Sequence, residues 1–334
     1  MSRNRRFLLA ASAVVVLGAA AGLGILVLSP AQAAVGPLPG EALVLPADVR
    51  FVGGFDVKRF VASPFYARYA SAKTSRPETF RELEQKTGLN PERDLDQVIV
   101  AGRGPGSGGD DGGLVVVLGR FDRARISALI EKEKKNATSK DVRGTAVYLF
   151  DEGQPRAKAI AFLDERTLVL GSQAAVEAAV TARADGQHPL KANKTILDLL
   201  GKVRPGATFW AVGDQSLLAN MPKEMPAPGG QGAIALPGLK SLIATGDVDP
   251  MLSFELIGTA EDEAAAKNLG DVVRGFVALA TLQASQRPEL KDLATAISVT
   301  NEADSVRVSA RVPYELIDAL QKKPEAAPES PMPR

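Results

Sequence analysis

The sequence contains no cysteine and a single histidine, His188. The first absence excludes disulfides, thiol nucleophiles, thiolate zinc sites, iron–sulfur clusters and the lipidated cysteine of a bacterial lipoprotein. The second leaves one residue for any histidine-based catalytic relay. His188 sits between Gln187 and Pro189, without a patterned nucleophile or orienting partner, and is expected on the surface of a connecting segment. Aromatic residues are scarce at 5%, too few for a platform that stacks sugars or single-stranded nucleic acid. The one tryptophan, Trp210, lies in an apolar strand and is expected in the core. Neither sign of charge dominates, with 40 Lys and Arg against 39 Asp and Glu. Without Arg3, Arg5 and Arg6 of the leader, 37 basic residues face 39 acidic ones. Such a body carries no electrostatic footprint for nucleic acid. No G-x-S-x-G elbow, S-x-x-K box or H-E-x-x-H helix occurs. No metal, cofactor or catalytic residue is therefore expected.

What is present begins with a leader. Ser2-Arg-Asn-Arg-Arg6 precedes an uncharged run from Phe7 to Leu28, 22 residues long, closed by Pro30 and by Ala31-Gln32-Ala33. A basic start, an apolar run and an A-x-A site make a secretion signal, with cleavage after Ala33 preferred. The run is longer than the usual signal core of about 7–15 residues. As a helix it would span about 33 Å at roughly 1.5 Å per residue, enough for a hydrocarbon layer of about 30 Å. Residues 1–33 are thus a signal peptide or an N-terminal membrane anchor. In either case the arginines hold the N-terminus in the cytoplasm and the body faces outward. The body is expected in the periplasm or on the outer face of the cytoplasmic membrane, touching membrane only through residues 7–28 if these are uncleaved.

Residues 34–45 read as a linker and 323–334 as a disordered Pro-rich tail. Between them three blocks recur in order. Pro46-Ala-Asp-Val-Arg-Phe-Val-Gly-Gly-Phe-Asp56 parallels Pro205-Gly-Ala-Thr-Phe-Trp-Ala-Val-Gly-Asp214, each a strand ending in an acidic residue at a helix start. Gln97–Gly102 with Gly113–Gly119 parallels Ser241–Gly246 with Met251–Gly258, each pair leading into a helix, near Asp122–Lys135 and Glu261–Ala284. Ala159–Asp164 with Thr167–Gly171 parallels Ala296–Asn301 with Ser305–Val312, again followed by helices, Ser172–Ala184 and Pro313–Gln321. The expectation is an α+β chain of two related halves, 46–186 and 200–322, joined by a connecting segment 187–199. Each half is a mainly antiparallel sheet covered by helices. Val306, Val308, Ala310 and Val312 alternate with Arg307, Ser309 and Arg311, which predicts one dry and one wet strand face. Ser172 is placed as a helix N-cap, and Gly88 and Gly186 as helix stops.

Other segments offer weak chemistry. Gly102-Arg-Gly-Pro-Gly-Ser-Gly-Gly-Asp-Asp-Gly-Gly113 lacks the Gly-Lys-Ser/Thr ending of a phosphate loop and joins two strands, so a mobile hairpin tip is expected. Asp110 and Asp111 within it lack the spacing of a calcium loop. Asp94 and Asp96 flank Leu95 as turn and strand-entry residues, and sequence cannot give the separation that a catalytic carboxylate pair requires. The segment 222–237, with Met221, Met225, Ile234 and Leu236, is a plain insertion or an apolar loop that meets a ligand or partner.

Phe80-Arg-Glu-Leu-Glu-Gln-Lys-Thr-Gly-Leu-Asn-Pro-Glu-Arg-Asp-Leu-Asp-Gln-Val98 and Thr167-Leu-Val-Leu-Gly-Ser-Gln-Ala-Ala-Val-Glu177 resemble segments of uncharacterised exported bacterial proteins of unknown function. The resemblance covers most of 46–322 and implies an envelope location, with no catalytic residues to carry over. The expectation is a non-enzymatic envelope module that binds or scaffolds an unknown ligand, either an envelope protein or an apolar molecule. The alternatives are a carrier of an apolar ligand in a sheet–helix groove and a histidine-independent hydrolase.

Overall fold

The computed structural model describes residues 38–70, 78–104, 113–132, 137–152, 157–218, 224–226, 233–235, 238–283, 292 and 295–321. The chain opens with a 3₁₀ turn, Gly40–Val44. It continues through β1 (Phe51–Asp56), α1 (Val57–Ala62), a π-helical turn (Tyr66–Ala70), α2 (Glu78–Thr87), α3 (Pro91–Asp94), β2 (Leu95–Gly102) and β3 (Leu114–Gly119). Next come α4 (Arg123–Lys132), β4 (Ala137–Val142), β5 (Thr145–Phe150), β6 (Lys158–Phe162), β7 (Thr167–Ser172) and α5 (Gln173–Ala184). A second 3₁₀ turn (Pro189–Ala192) leads to α6 (Lys194–Gly201), β8 (Phe209–Asp214), α7 (Gln215–Leu218), β9 (Glu224–Pro226) and β10 (Ala233–Ala235). The last elements are β11 (Leu239–Asp247), β12 (Leu252–Ala260), α8 (Glu263–Gln283), β13 (Ile297–Glu302), β14 (Ser305–Val312) and α9 (Tyr314–Gln321).

Twelve of these strands form one antiparallel sheet, in the order β13-β14-β12-β11-β8-β1-β2-β3-β7-β6-β5-β4, where the sequence predicts a mainly antiparallel sheet in each half. The join is β1 against β8, in register from Phe51↔Gly213 to Phe55↔Phe209. Each strand would otherwise be an open edge with unpaired N–H and C=O groups, and pairing removes both edges at once. Outward from β1 the order is β2, β3, β7, β6; outward from β8 it is β11, β12, β14, β13.

Strand alternation divides the side chains between two faces. One face carries Val52, Ile99, Val116, Val169, Trp210, Val212 and Ile243, covered by the turns at 40–44 and 189–192 and by α5 and α6. The other carries Val98 and Val117 beneath Val57 of α1, and Tyr148 and Phe150 beneath Ile130 of α4. Toward the chain's end α8 covers this second face, packing Ala266 and Leu269 against Val306 and Val308. β14 alternates as its sequence requires: Val306, Ala310 and Val312 are buried, while Arg307, Ser309 and Arg311 lie on the opposite face. A fully buried Ile99 or Leu114 contributes about 1.5–3 kcal/mol.

Two segments expected to be connectors carry core residues. In 34–45, the described part is a 3₁₀ turn whose Ala42, Val44 and Leu45 are buried. In 187–199, Leu190 and Ile196 are wholly buried, from a 3₁₀ turn and from α6. Neither segment is long enough to show a helical period, so its burial has no pattern in the sequence. Helix ends follow local chemistry. The Ser172 hydroxyl accepts the Ala175 N–H at the start of α5, and Gly88 and Gly186 end helices with positive φ. Among the described residues no helix is long and apolar enough to cross a membrane. The leader 1–33 and the tail 323–334 lie outside the described residues.

Candidate functional site

The sheet face that carries the 3₁₀ turns opens at one end into a cleft of about 350 Å³, lined by Glu41, Asp56, Lys58, Arg59, Asp96, Gln97, Leu118, Arg166 and Thr167. Five separate segments supply these residues: the first 3₁₀ turn, the β1–α1 junction, the start of β2, the end of β3 and the start of β7.

Local geometry explains each placement. Asp56 ends β1 and caps α1, accepting the Arg59 N–H at 2.8 Å. The cap fixes where the first helical turn begins, and so where Lys58 and Arg59 project. β2 pairs Leu95 with Gly119 and Gln97 with Leu118, leaving Asp96 as the extra residue of a β-bulge. A bulge turns its extra side chain out of the normal alternation. Here it sets Asp96 Oδ1 2.6 Å from Lys58 Nζ and bonds its other oxygen to Arg166. The carboxylate of Asp96 is largely shielded, while both cations are more than half exposed. Such pairs stabilise by about 0–1 kcal/mol each.

Behind Arg59 a second carboxylate is also shared between two cations. Asp247 Oδ2 lies 3.9 Å from Arg59 and 3.6 Å from Arg204, while its Oδ1 accepts the Thr208 hydroxyl at 3.0 Å and the Val248 N–H at 2.9 Å. Thr167 differs from the other lining residues. It is 1% exposed, and among the described residues its hydroxyl has no hydrogen-bond partner.

Asp94 and Asp96 are held by different partners. Asp94 accepts Arg93 Nε and Nη2 at 2.9 and 2.7 Å and the Asn90 N–H at 2.9 Å. The Arg93 guanidinium first, then the Asn90 N–H and the charge of Arg120, hold its carboxyl below the usual carboxylate range against the opposing effect of burial. Asp96 instead faces the cleft. His188 is exposed ahead of the second 3₁₀ turn, and Trp210 is buried under Gly54. Met225 and Ile234 are register partners in the β9/β10 ribbon, while Met221, Leu236, Asp110 and Asp111 lie outside the described residues. Among the described residues no three His, Asp or Glu side chains are grouped to hold a metal ion.

Among the cleft residues the sequence singles out Asp96, and Asp56 as the acidic end of its strand. Glu41, Lys58, Arg59, Gln97, Arg166 and Thr167 are ordinary at their own positions and meet only through strand register.

A second notable region lies at the opposite sheet face. Phe55, Phe60, Phe65, Tyr66, Tyr69, Phe209 and Tyr314 form a connected run of ring contacts with centroids 4.9–6.2 Å apart. Leu252, Phe254 and Leu256 share that face, being register partners of Val312, Ala310 and Val308. All three stay half-buried, as do Val272, Val273, Phe276 and Val277 of α8.

No family model matches the chain, and no curated relative matches it. Among solved structures, crystal form I of TP0453, a Treponema pallidum protein, is 11% identical, with 86% of this chain and 98% of that one covered at a TM-score of 0.43. Crystal form IV of the same protein is 8% identical, with 83% and 94% covered at a TM-score of 0.42.

Proposed function

We propose that the chain is an exported, non-enzymatic binding module of the cell envelope, built from two copies of one sheet-and-helix unit, whose ligand presents an apolar surface. The observation that carries this reading is the half-buried apolar row on the face covered by α1, α4 and α8: Leu252, Phe254 and Leu256 of β12, with Val272, Val273 and Phe276 of α8. A strand face meant for water is polar, as the other face of β14 is with Arg307, Ser309 and Arg311. Apolar side chains left partly open in a row fit contact with an apolar ligand or partner. The half-buried rings of Phe55, Phe60 and Phe209 extend the same face. Met221 and, in the 222–237 segment, Met225, Ile234 and Leu236 are proposed to meet the same ligand or partner.

Support for duplication comes from the strand order, which runs β1-β2-β3-β7-β6 in one direction and β8-β11-β12-β14-β13 in the other. Each series starts with a strand ending in an aspartate that caps the next helix, Asp56 for α1 and Asp214 for α7. The proposed copies are residues 46–186 and 200–322. Support for export is the basic, apolar and A-x-A sequence of the leader; the proposed location of the body is the periplasm or the outer face of the cytoplasmic membrane.

The test is purification from envelope fractions under native conditions, followed by mass spectrometry of bound material and of crosslinked partners. An apolar ligand, or a partner whose capture is lost in Phe254→Asp, is expected. Empty protein without partners, or capture unchanged by Phe254→Asp, overturns the reading.

A further inference from the structure

We propose that one end of the sheet is a contact surface for an anionic membrane. It is the end at which β1, β3 and β11 finish and β2, β7 and β8 begin, as the pairings Asp56↔Gln97, Phe55↔Phe209, Gly246↔Phe209, Leu95↔Gly119 and Leu118↔Thr167 require. The inference rests on the exported location proposed above. It is independent of the apolar row, which lies on a face of the sheet and not at its end.

Three carboxylates at this end are each shared by two cations. Asp94 holds Arg93 and Arg120, Asp96 holds Lys58 and Arg166, and Asp247 holds Arg59 and Arg204. The carboxylate side chains are 10–16% exposed and the cations 46–62%. The length of basic side chains does not by itself account for this. In the pairs Arg68–Glu315, Arg103–Asp48, Arg123–Glu165 and Arg307–Glu302 the carboxylate is the more exposed partner. Here six positive heads stand outward of three shielded negative groups. They follow six adjacent strands, from β11 to β7, in a row of about 24 Å at roughly 4.8 Å per strand.

Other carboxylates at this end are placed differently. Asp56 and Asp122 accept N–H groups in the first turns of α1 and α4, and Asp164 pairs with Arg183. Glu41 and Glu92 are half-buried, while Glu165, paired with Arg123, and Asp249 are exposed. These groups offset the row at a distance, so its attraction acts at contact, within a Debye length of about 8–10 Å. A plane of anionic headgroups meets the outermost charges first and can engage the whole row, with guanidinium groups binding phosphate through paired hydrogen bonds. A small free anion reaches only one or two of the six. The leader indicates which anionic plane is met. Glu41 lines the cleft beside Lys58 and Asp96, so the chain enters the body at this end. Leu28, the last residue of the uncharged run, and Leu38, the first described residue, are ten residues apart, at most about 36 Å when extended. With the run held in the bilayer as an anchor, this end of the sheet is tethered within that distance of the membrane surface.

Lysine acetylation read by mass spectrometry tests this on the full chain, with vesicles of phosphatidylcholine alone or mixed with phosphatidylglycerol. Lys58 reports the row, and Lys267, exposed in α8 after the end of β12, reports the opposite end of the sheet. Lys58 should be acetylated severalfold more slowly on the anionic vesicles, with Lys267 unchanged. About 0.5 M salt, which shortens the Debye length to roughly 4 Å, should restore it. Inorganic phosphate without vesicles should give no protection. Arg93→Gln, Arg120→Gln and Arg166→Gln combined should abolish the difference between the two lipids. Should that variant not fold, the lipid and salt dependence of the parent decides alone. Equal acetylation of Lys58 on both lipids, protection that salt does not remove, or protection by inorganic phosphate alone overturns the proposal. Protection of Lys58 in native envelopes without protection on anionic vesicles assigns this end to a protein partner and overturns it as well.

Discussion

Gly171 lies in β7 between β3 and β6, paired with Leu114 on one side and Ala159 on the other. A Cβ added there would overlap the carbonyl oxygen of Gly113, a backbone atom that cannot rotate away. Gly171→Ala should therefore cost about 1–3 kcal/mol, seen as a lower urea midpoint with an unchanged slope. Gly54 is required for a different reason. The Trp210 indole occupies the space a methyl group would need. Asp94 gives a prediction that depends on pH. Its folded pKa is depressed, chiefly by Arg93, so its contribution is fully present above the unfolded value of about 3.9 and is lost as pH falls through the folded value. Asp94→Asn should cost about 1–3 kcal/mol near pH 7, and the difference from the parent should shrink as the solution is acidified below the unfolded value of about 3.9. Urea titrations across that range check it. A gap that stays constant with pH would show that Asp94 acts through shape and not through charge.

At the scale of elements, legibility followed periodicity. β14 and α5 were readable because alternation and a Ser172 cap mark them directly. β4 was not, because Thr138, Ser139, Lys140 and Asp141 are all exposed and carry no apolar phase. Its hairpin signal was Arg143-Gly144, both at positive φ, a turn more often spelled with Asn or Asp before the glycine. The cleft was illegible for a related reason. Register across β1, β2, β3 and β7 assembles it, and a single strand does not state its neighbours. Element contacts also predict a measurable clasp. Tyr69 in the π-helical turn shares its one O–H between the Tyr314 carbonyl oxygen and Asp318 Oδ1, each at 2.9 Å, while Arg68 pairs with Asp318. Burial first, then the bond to Asp318, pushes the Tyr69 hydroxyl up to about 12, with Arg68 opposing. Asp318→Asn should lower that value while leaving it above the ordinary tyrosine range of about 10, because burial remains. Spectrophotometric titration against a Tyr69→Phe reference isolates it from the other three tyrosines. An unchanged value would show that the last helix is not held at Tyr69.

At the scale of the molecule, the three recurring sequence blocks predicted strand pairs and their following helices, but not how the two series meet. They meet edge to edge, and that has a thermodynamic consequence. The β1/β8 seam is central to the sheet, and a single core cluster contains Val52 and Ile99 from one side with Trp210, Val212 and Ile243 from the other. Arg59 reaches Asp247 across the seam, and Tyr69 reaches Tyr314. Unfolding either series alone would open a sheet edge and expose half of a shared core, so partly unfolded states lose contacts on both sides of the break. The proposed copies should therefore melt as one unit in spite of their separate origins in the sequence. Calorimetry should show one transition, with calorimetric and van't Hoff enthalpies in agreement. Trp210 reports the seam itself, so its fluorescence should change at the same temperature as the far-ultraviolet dichroism of the whole sheet. Two resolved transitions, or a tryptophan signal lost ahead of the backbone signal, would mean that the seam is a docking contact between independent domains and not the middle of one sheet.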